Sequence, residues 1–269
     1  MSDHLLLEIK NRIAHLQINR PKALNALHPD FMEEFKAIFQ RLSEDRSVSV
    51  VVLSGVGQHF GAGYDLKYDW SGRYGETVLG QRKMLQDCMS FELAPWECSK
   101  PVIAMVRGFC LAGSCELAML CCVTIASDTS RFGEPEIRFS TSPPVVVMPW
   151  IVGLKKAREL LYTGDLIDAE EALKIGMVNR VVPDAELEAE TFKLARRMAA
   201  ISMEGLQTTK ASINKGAEIA GIRQAFDYGI EQGAMLDATE TETLKTFMEI
   251  RGRDGLTAAI RWRESQFED

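Results

Sequence analysis

Histidine is scarce in this chain of 269 residues, which contains four: His4, His15, His28 and His59. A Ser-His-Asp or Cys-His nucleophile would need one of them beside a sharp strand-to-helix turn, and none lies near such a turn. If the chain is an enzyme, carboxylates are therefore the expected acid and base.

Three further absences narrow the class of protein. No apolar run reaches the roughly 20 residues of a membrane-spanning helix. The N-terminus, MSDHLLLEIK, has no basic segment ahead of a long apolar stretch, so we expect a cytoplasmic protein. Positive charge is not in excess either. The formal net charge is -7, which disfavours broad binding to nucleic acid or to an anionic membrane.

The six cysteines all fall between residues 88 and 122, without a histidine and without a Cys-x-x-Cys pair. This pattern is not typical of a zinc site or of an extracellular disulfide framework. We expect no metal, and reduced thiols that serve as small core residues. The thiols are Cys88, Cys98, Cys110, Cys115, Cys121 and Cys122.

Hydrophobic periodicity predicts an α/β fold followed by helices. Strand candidates such as SVSVVVLSG, VIAMV and CVTIAS alternate with helix candidates such as HPDFMEEFKAIFQRLSED. Beyond Pro183 and Asp184 only helices are predicted, including one long helix from Ile222 to about Arg251. The predicted domains are an α/β core over residues 1–190 and a helical region over residues 191–269.

The segment SGVGQHFGAGYDLK, residues 54–67, places four glycines after a strong strand. Its GxGxxxG spacing, with no apolar helix after it, disfavours a dinucleotide site. Glycines here would let the backbone approach a ligand closely, with N–H groups that stabilise negative charge on an oxygen. An ordinary glycine-rich turn is the alternative.

The segment LAGSCELA places Gly113 and Ser114 at the start of a predicted buried helix that contains Glu116. The first N–H groups of a helix have no partner within it, so two such corners could converge on one carbonyl oxygen. A carboxylate that only interacts with its own helix dipole is the alternative for Glu116. In RFGEPEIRF, Glu134 and Glu136 flank Pro135, and a solvated turn is the alternative there.

Together these segments resemble the enoyl-CoA hydratase/isomerase family, the crotonase superfamily, almost from end to end. The matching stretches are NRPKALNAL, HFGAGYDLK, KPVIAMVRGFCLAGSCELAMLCCVTIAS, RFGEPEI, TGDLIDAEEALKIGMVNRVVP and DGLTAAIRWRESQF. The resemblance implies a crotonase-like α/β spiral of ββα units with a C-terminal helical trimerisation region. It also implies a homotrimer, or a hexamer built as a dimer of trimers.

The resemblance implies an acyl-CoA thioester as substrate, with coenzyme A as part of it and no permanently bound cofactor. The backbone N–H groups of Tyr64 and Gly113 match the family's oxyanion hole. Glu116 and Glu136 match its two catalytic glutamates: the first orients and activates water, and the second handles the proton at the carbon next to the thioester. Because both are present, hydration of a 2-enoyl-CoA is favoured over isomerase or hydrolase activity on the same fold.

The family's coenzyme A contacts match the backbone of Lys22, Ala23, Leu24 and Ala62. Lys67 is a candidate phosphate partner, and a solvated lysine is the alternative. Phe267, contributed by a neighbouring subunit, is a further candidate.

One segment, STSPPVVVMPWIVG, departs from the family, which has a glycine-rich PGxGGTQRL-like run there. Pro144, Val146 and Val147 replace expected glycines, which adds bulk to the acyl pocket and implies a cyclic or branched acyl group. Three aromatic residues match a variable pocket-lining segment, with plain packing as the alternative: Tyr68, Trp70 and Tyr74.

Two other classes of protein are alternatives. The first is a non-catalytic relative that binds coenzyme A or RNA on the same scaffold, against which the net negative charge and the two glutamates argue. The second is a Rossmann dehydrogenase, which the helical region does not support.

Overall fold

Nine strands form two sheets in the structure, a computed structural model that describes residues 3–267. The main sheet has the order β1-β2-β3-β4-β6-β9, in which only β1 and β2 are antiparallel neighbours. The strands are β1 (Leu5–Lys10), β2 (Ile13–Ile18), β3 (Val50–Gly55), β4 (Val102–Val106), β5 (Phe109–Leu111), β6 (Val123–Ser127), β7 (Arg131–Gly133), β8 (Ile167–Asp168) and β9 (Arg180–Val182).

The hairpin and the central strands form where the sequence predicts them. Asn11 and Arg12 join β1 to β2 with φ values of 51° and 66°, and a two-residue hairpin turn of this kind requires positive φ at both positions. In β3, the side chains of Val50 to Leu53 are all fully buried. A β-branched run of this kind is typical of a parallel strand covered on both faces.

A smaller sheet, β5-β7-β8, lies next to the main one. Two isolated bridges, Gly61 with Cys110 and Leu27 with Tyr64, extend it toward the loop that follows β3. This arrangement brings the corner after β3 against the corner between β5 and the helix that follows it, α5 (Gly113–Met119). The fold thus places the two glycine-containing segments singled out above side by side.

The helices surround both sheets, and none within residues 3–267 is long and apolar enough to cross a membrane. They are α1 (Pro29–Glu44), α2 (Trp70–Tyr74), α3 (Val78–Glu92), α4 (Ala94–Glu97), α5 (Gly113–Met119), α6 (Met148–Val152), α7 (Leu154–Thr163), α8 (Ala169–Lys174), α9 (Leu187–Ala199), α10 (Met203–Ile219), α11 (Ile222–Asp237), α12 (Glu242–Asp254) and α13 (Leu256–Ser265). Short 3-10 helices span Pro21–Ala23, Pro135–Phe139 and Asp184–Glu186.

The prediction of one long helix from Ile222 to about Arg251 is wrong, because α11 ends at Asp237 and a separate helix, α12, begins at Glu242. The Thr241 side chain accepts the N–H of Leu244 at 3.2 Å and caps α12. The Thr239 hydroxyl donates to the carbonyl of Met235 at 2.7 Å at the end of α11. Threonine side chains that bond the backbone in this way compete with the helix and favour its ends.

The helical region packs back onto the core of the same chain. α11 lies along α3, and α12 reaches the 3-10 helix Pro135–Phe139. There the rings of Phe139 and Phe247 meet edge to face at 5.3 Å. The six cysteines are free thiols, and Cys88, Cys98, Cys110 and Cys115 are buried, as expected of small core residues. For the other two the expectation does not hold, because Cys121 is partly exposed and Cys122 is exposed.

Candidate active site

Two backbone corners lie in contact at the point where the two sheets meet. A Cβ atom on Gly61 would lie 2.3 Å from the Ser114 hydroxyl, and one on Gly63 would lie 2.4 Å from the Cβ of Ala112. The Ser114 hydroxyl accepts the N–H of Gly63 at 3.2 Å. Only glycine allows backbones to approach this closely, so the glycines after β3 serve the contact between the corners.

The Tyr64 N–H and the Gly113 N–H both lie at this contact, and neither has an acceptor within residues 3–267. Leu27 bonds the carbonyl of Gly63 and the N–H of Asp65, so the N–H of Tyr64 points away from Leu27. Gly113 is the first residue of α5, where an N–H has no partner inside the helix. A Cβ atom on Gly113 would lie 2.4 Å from the Tyr64 ring.

Ala112 carries the backbone strain that produces the second corner. Its φ of 55° and ψ of -139° belong to a region that residues with a Cβ atom rarely adopt. Its N–H donates to the carbonyl of Gly133 at 2.8 Å, which holds the corner against β7. The chain reverses sharply here, so that α5 starts next to Tyr64.

Glu116 lies on α5, and its side chain is fully buried. Its Oε1 accepts the N–H of Val145 at 2.6 Å, while its Oε2 has no partner within the described residues. Val145 belongs to the segment that departs from the family pattern, so this segment still supplies a backbone donor to the carboxyl group. The Thr141 hydroxyl, which donates to Asp237 on α11 at 2.5 Å, helps to hold the segment in place.

The solvated turn considered for Glu134 and Glu136 is not what forms. Pro135 opens a 3-10 helix, and the two glutamates are only 1% and 8% exposed. None of their four carboxyl oxygens has a hydrogen-bond partner within residues 3–267. Arg138 fixes this helix, because its Nε donates to the carbonyl of Thr163 at 2.7 Å and its Nη1 pairs with Glu264 at 3.0 Å.

Glu92, the last residue of α3, is a buried carboxyl that the sequence analysis missed. It is fully buried, and its Oε1 accepts the Tyr64 hydroxyl proton at 2.5 Å. Its position in the apolar stretch SFELAPW is the kind of signal that drew attention to Glu116. Glu92 Oε2, like Glu116 Oε2, has no partner within the described part of the chain.

Burial dominates the electrostatics of these four carboxyl groups. It raises the pKa of Glu92, Glu116 and Glu134 well above the ordinary value, and the neighbouring carboxylates raise it further. Burial also raises the pKa of Glu136, to about 8. Within residues 3–267, no lysine, arginine or histidine forms an ion pair with Glu92, Glu134 or Glu136 that would offset this effect. The cluster can therefore hold and exchange protons near neutral pH.

The residues matched to coenzyme A form a strip beside the first corner. The N–H of Ala62 donates to the carbonyl of Leu24 at 3.1 Å, which joins the loop to the 3-10 helix that contains Lys22 and Ala23. Lys22 and Lys67 have exposed side chains. The structure thus brings Ala62 next to Leu24 and leaves both lysines accessible.

Phe267 and the three aromatic residues lie against their own chain. The guanidinium carbon of Arg138 is 4.2 Å from the centroid of the Phe267 ring. Trp70 contacts Tyr64 edge to face at 5.5 Å and also packs against Tyr68 and Tyr74. Tyr68, Trp70 and Tyr74 therefore form one aromatic cluster, which contacts Tyr64 through Trp70.

Asn25 joins the segment before α1 to the loop after β3, near the site, and the sequence analysis did not single it out. Its side chain is fully buried, accepts the N–H of Arg20 at 2.9 Å, and donates to the carbonyls of Val56 and His59 at 3.0 and 2.6 Å. Its φ of 54° is one that asparagine tolerates better than most residues. Asparagine thus suits both the bonds and the backbone of this position.

We expect Asn25→Ala to lower the free energy of unfolding by about 3 kcal/mol, because three partly buried backbone groups lose their partner. Denaturant unfolding measures this as a lower midpoint at an unchanged slope. Asn19→Ala is the control, since Asn19 makes one side-chain bond, to the Asp3 carbonyl, in an exposed place. Similar losses in the two variants would contradict the importance of the buried bonds.

Comparisons with known proteins agree on one family. Residues 8–254 match the family model described as enoyl-CoA hydratase/isomerase. The chain is 33% identical to a crotonyl-CoA hydratase of Syntrophomonas wolfei subsp. wolfei, over 98% of each sequence. It is 32% identical to a mitochondrial enoyl-CoA hydratase of Pongo abelii, over 96% of this chain and 84% of that one.

The fold leads to the same result. A crystal structure of an enoyl-CoA hydratase/isomerase from Xanthobacter autotrophicus Py2 superposes with a TM-score of 0.96 and 37% identity, covering 100% of both chains. The expected α/β crotonase-like fold with helices at its C-terminal side is confirmed. The chain belongs to the enoyl-CoA hydratase/isomerase family, the crotonase superfamily.

Proposed function

We propose that this protein adds water across the 2,3 double bond of an enoyl-CoA thioester. The observation that carries the proposal is the pair of N–H groups, on Tyr64 and Gly113, that have no acceptor within residues 3–267 and lie beside a cluster of buried glutamates. Hydration needs a place for negative charge on the thioester oxygen and groups that move protons, and this site offers both. The relatives named as hydratases support the same activity.

In this proposal, the two N–H groups bind the thioester carbonyl oxygen and form the oxyanion hole. They draw electron density toward the oxygen, which makes carbon 3 electrophilic and stabilises the enolate that follows. Because the corners are fixed by Ser114 and the close-packed glycines, the donors need little reorganisation during the reaction.

Glu116 and Glu136 carry the protons. Ionised Glu116 accepts a proton from water as the water oxygen bonds to carbon 3 and the double-bond electrons move onto the thioester. Glu136 then donates its proton to carbon 2, and the carbonyl reforms. The balance is one water added, with one proton taken up by Glu116 and one released by Glu136. Proton exchange through the medium restores the starting state.

We propose that the strip formed by Lys22, Ala23, Leu24 and Ala62 binds coenzyme A, with Lys67 as a phosphate partner. Its exposed lysines and its position beside the first corner support this assignment.

We also propose a homotrimer or a hexamer. Support comes from apolar side chains on α10 and α11 that are 66%, 79% and 67% exposed: Ile213, Ile219 and Tyr228. Sedimentation measures the assembly directly.

Mass spectrometry of product mixtures tests the function. Purified protein is incubated with linear, branched and cyclic 2-enoyl-CoA thioesters, and the molecular mass of each product is measured. We expect one or more substrates to gain the mass of one water. Release of free coenzyme A would indicate a hydrolase, and a shifted double bond of unchanged mass would indicate an isomerase. Either result without water addition would refute the proposal.

The proposed role of Glu136 predicts a loss of activity at alkaline pH. Because burial raises its pKa to about 8, Glu136 keeps the proton that it must donate at neutral pH and loses it above that value. We expect kcat/KM to fall about tenfold per pH unit above about pH 8, where the acid form becomes rare. A profile that stays flat to pH 10 would argue against Glu136 as the acid.

A further inference from the structure

The backbone of residues 141–145 is hydrogen-bonded to both of the glutamates that carry protons in the proposed reaction. At one end of this segment, the N–H of Thr141 donates to the carbonyl of Glu136 at 3.3 Å. At the other end, the N–H of Val145 donates to Glu116 Oε1 at 2.6 Å. A displacement of the segment therefore moves the backbone that carries Glu136 and the donor that orients Glu116.

One face of α11 receives this segment. Gly229, Gly233 and Asp237 follow one another at intervals of four residues, which places them on the same side of the helix. A Cβ atom on Gly233 would lie 2.6 Å from Ser142 Oγ, and one on Gly229 would lie 3.3 Å from Val146 Cγ2. Because the two glycines have no side chain, the segment lies directly against the helix.

Asp237 adds a directional contact to this packing. The Thr141 hydroxyl donates to Asp237 Oδ1 at 2.5 Å, a bond between residues 96 positions apart in the chain. Its length is that of a hydrogen bond from a hydroxyl to a charged oxygen, which is stronger than one between neutral groups. The bond fixes the start of the segment, whereas apolar packing alone has no preferred direction.

A carboxylate is a destabilising choice at this position. Asp237 is the last residue of α11, where the helix dipole disfavours negative charge. Its Oδ2 is buried and has no hydrogen-bond partner within residues 3–267. Burial raises the pKa of Asp237 to about 6, so the group is still largely ionised at neutral pH. Stability alone does not account for this residue, because an apolar side chain would avoid both costs.

We propose that Asp237 is a positioning residue, which holds Thr141 and thereby sets the place of the acid, Glu136, relative to the base, Glu116. The catalytic meaning of this inference rests on the proposed hydration, whereas the hold of Asp237 on the segment does not. Asp237 belongs to the helical region. The inference therefore gives this region, for which the resemblance implied only trimerisation, a part in the chemistry.

Thr141→Val and Thr141→Ser separate the hydrogen bond from the packing. Valine keeps the shape of threonine without the hydroxyl, and serine keeps the hydroxyl. We expect Thr141→Val to lower kcat for hydration by about 10–100-fold with KM within about threefold of normal, since misplaced catalytic groups slow the chemical step more than they weaken binding. Thr141→Ser should stay within about threefold in both constants. A loss confined to KM, or an equal loss with serine, would overturn the proposal.

Substitutions at Asp237 test the other end of the bond. Asp237→Asn keeps an oxygen that accepts the hydroxyl and should retain most of the activity, whereas Asp237→Leu should lose as much as Thr141→Val. If the two residues act through their bond, combining Thr141→Val with Asp237→Leu adds no further loss of kcat. Additive losses would show that the two side chains act separately, and the proposal would be wrong.

Thr239→Val is the matched control. Thr239 is exposed, lies two residues beyond Asp237, and its hydroxyl donates to the carbonyl of Met235 at 2.7 Å. This variant also removes a threonine hydroxyl bond at the end of α11, but the bond does not reach the segment. We expect an unchanged kcat. A loss comparable with that of Thr141→Val would mean that any damage to the end of the helix lowers activity, which contradicts a specific role for Asp237.

Amide hydrogen exchange measures the hold on the segment independently of activity. Pro143 and Pro144 have no N–H, so exchange over residues 141–147 reports few amides, among them the hydrogen-bonded ones of Thr141, Val145 and Val147. We expect this peptide to exchange about tenfold faster in Thr141→Val and at the normal rate in Thr141→Ser. Unchanged exchange in the valine variant would overturn the proposal whatever happens to kcat. If the unchanged protein hydrates no enoyl-CoA but exchange behaves as expected, the proposed function fails and the hold of Asp237 on the segment stands.

Discussion

Glu116→Gln and Glu136→Gln are each expected to lower kcat for hydration by about 10²–10⁴-fold, with a much smaller effect on KM. Glutamine has the same shape, and at position 116 its carbonyl oxygen still accepts the N–H of Val145. At position 136 the substitution breaks no hydrogen bond, because neither carboxyl oxygen has a partner within the described residues. Steady-state kinetics on the best substrate of the mass-spectrometric screen measures the change.

Glu134→Gln is the matched control for Glu136. Glu134 lies two residues away, is equally free of hydrogen-bond partners within residues 3–267, and is almost fully buried. We expect its kcat to stay within about tenfold of the unchanged protein, since it donates no proton in the proposed reaction. If Glu134→Gln loses more activity than Glu136→Gln, the two glutamates have been assigned in the wrong order.

Gly113→Ala is expected to lower kcat/KM by about 10²–10³-fold, which is the effect of losing one oxyanion donor. The added Cβ atom would lie 2.4 Å from the Tyr64 ring and 2.8 Å from Glu92 Oε1. Since the hydroxyl of Tyr64 is hydrogen-bonded to Glu92, the ring has little freedom to move away. The corner must therefore shift, and the two N–H groups with it. Kinetics with a saturating and a limiting substrate concentration measures the loss.

Gly252→Ala is the control for this substitution. Gly252 lies in α12, and a Cβ atom there would meet nothing within 4 Å. We expect unchanged activity and a gain of stability of about 1 kcal/mol, as alanine favours a helix. Activity of Gly113→Ala within about twofold of normal would show that the oxyanion hole does not depend on this contact.

Local patterns in the sequence predicted most elements of the fold. β4 occupies the predicted VIAMV, and α10 occupies the predicted MEGLQTTKASINKGAEI. Such runs carry their own signal, because their apolar spacing or β-branched composition matches one secondary structure. The break between α11 and α12 carried little signal, because residues 238–241 read ATET and include neither glycine nor proline.

The candidate site was predictable in part. Glu116 and Gly113 drew attention because polar or small residues interrupt an apolar stretch. The segment RFGEPEIRF offered both Glu134 and Glu136, and the resemblance selected Glu136 and added Tyr64. Contacts between distant parts of the chain carried no such signal. The bond from Val145 to Glu116 spans 29 positions, and that from Tyr64 to Glu92 spans 28. Such pairs form only when tertiary packing brings the elements together.

The buried carboxyl cluster makes the proton a ligand of the native state. In an unfolded chain, glutamates with a pKa of about 4.5 are ionised at neutral pH. A buried carboxyl group that keeps its proton therefore binds one proton more than the same group in the unfolded chain. Folding at neutral pH therefore takes protons up from the medium. The stability that this uptake supports is complete below about pH 4.5 and is lost as pH rises through the folded pKa, which for Glu136 is about 8. Each retained proton contributes a slope of about 1.4 kcal/mol per pH unit in that window, so alkalinity weakens the fold through the same groups that the reaction requires.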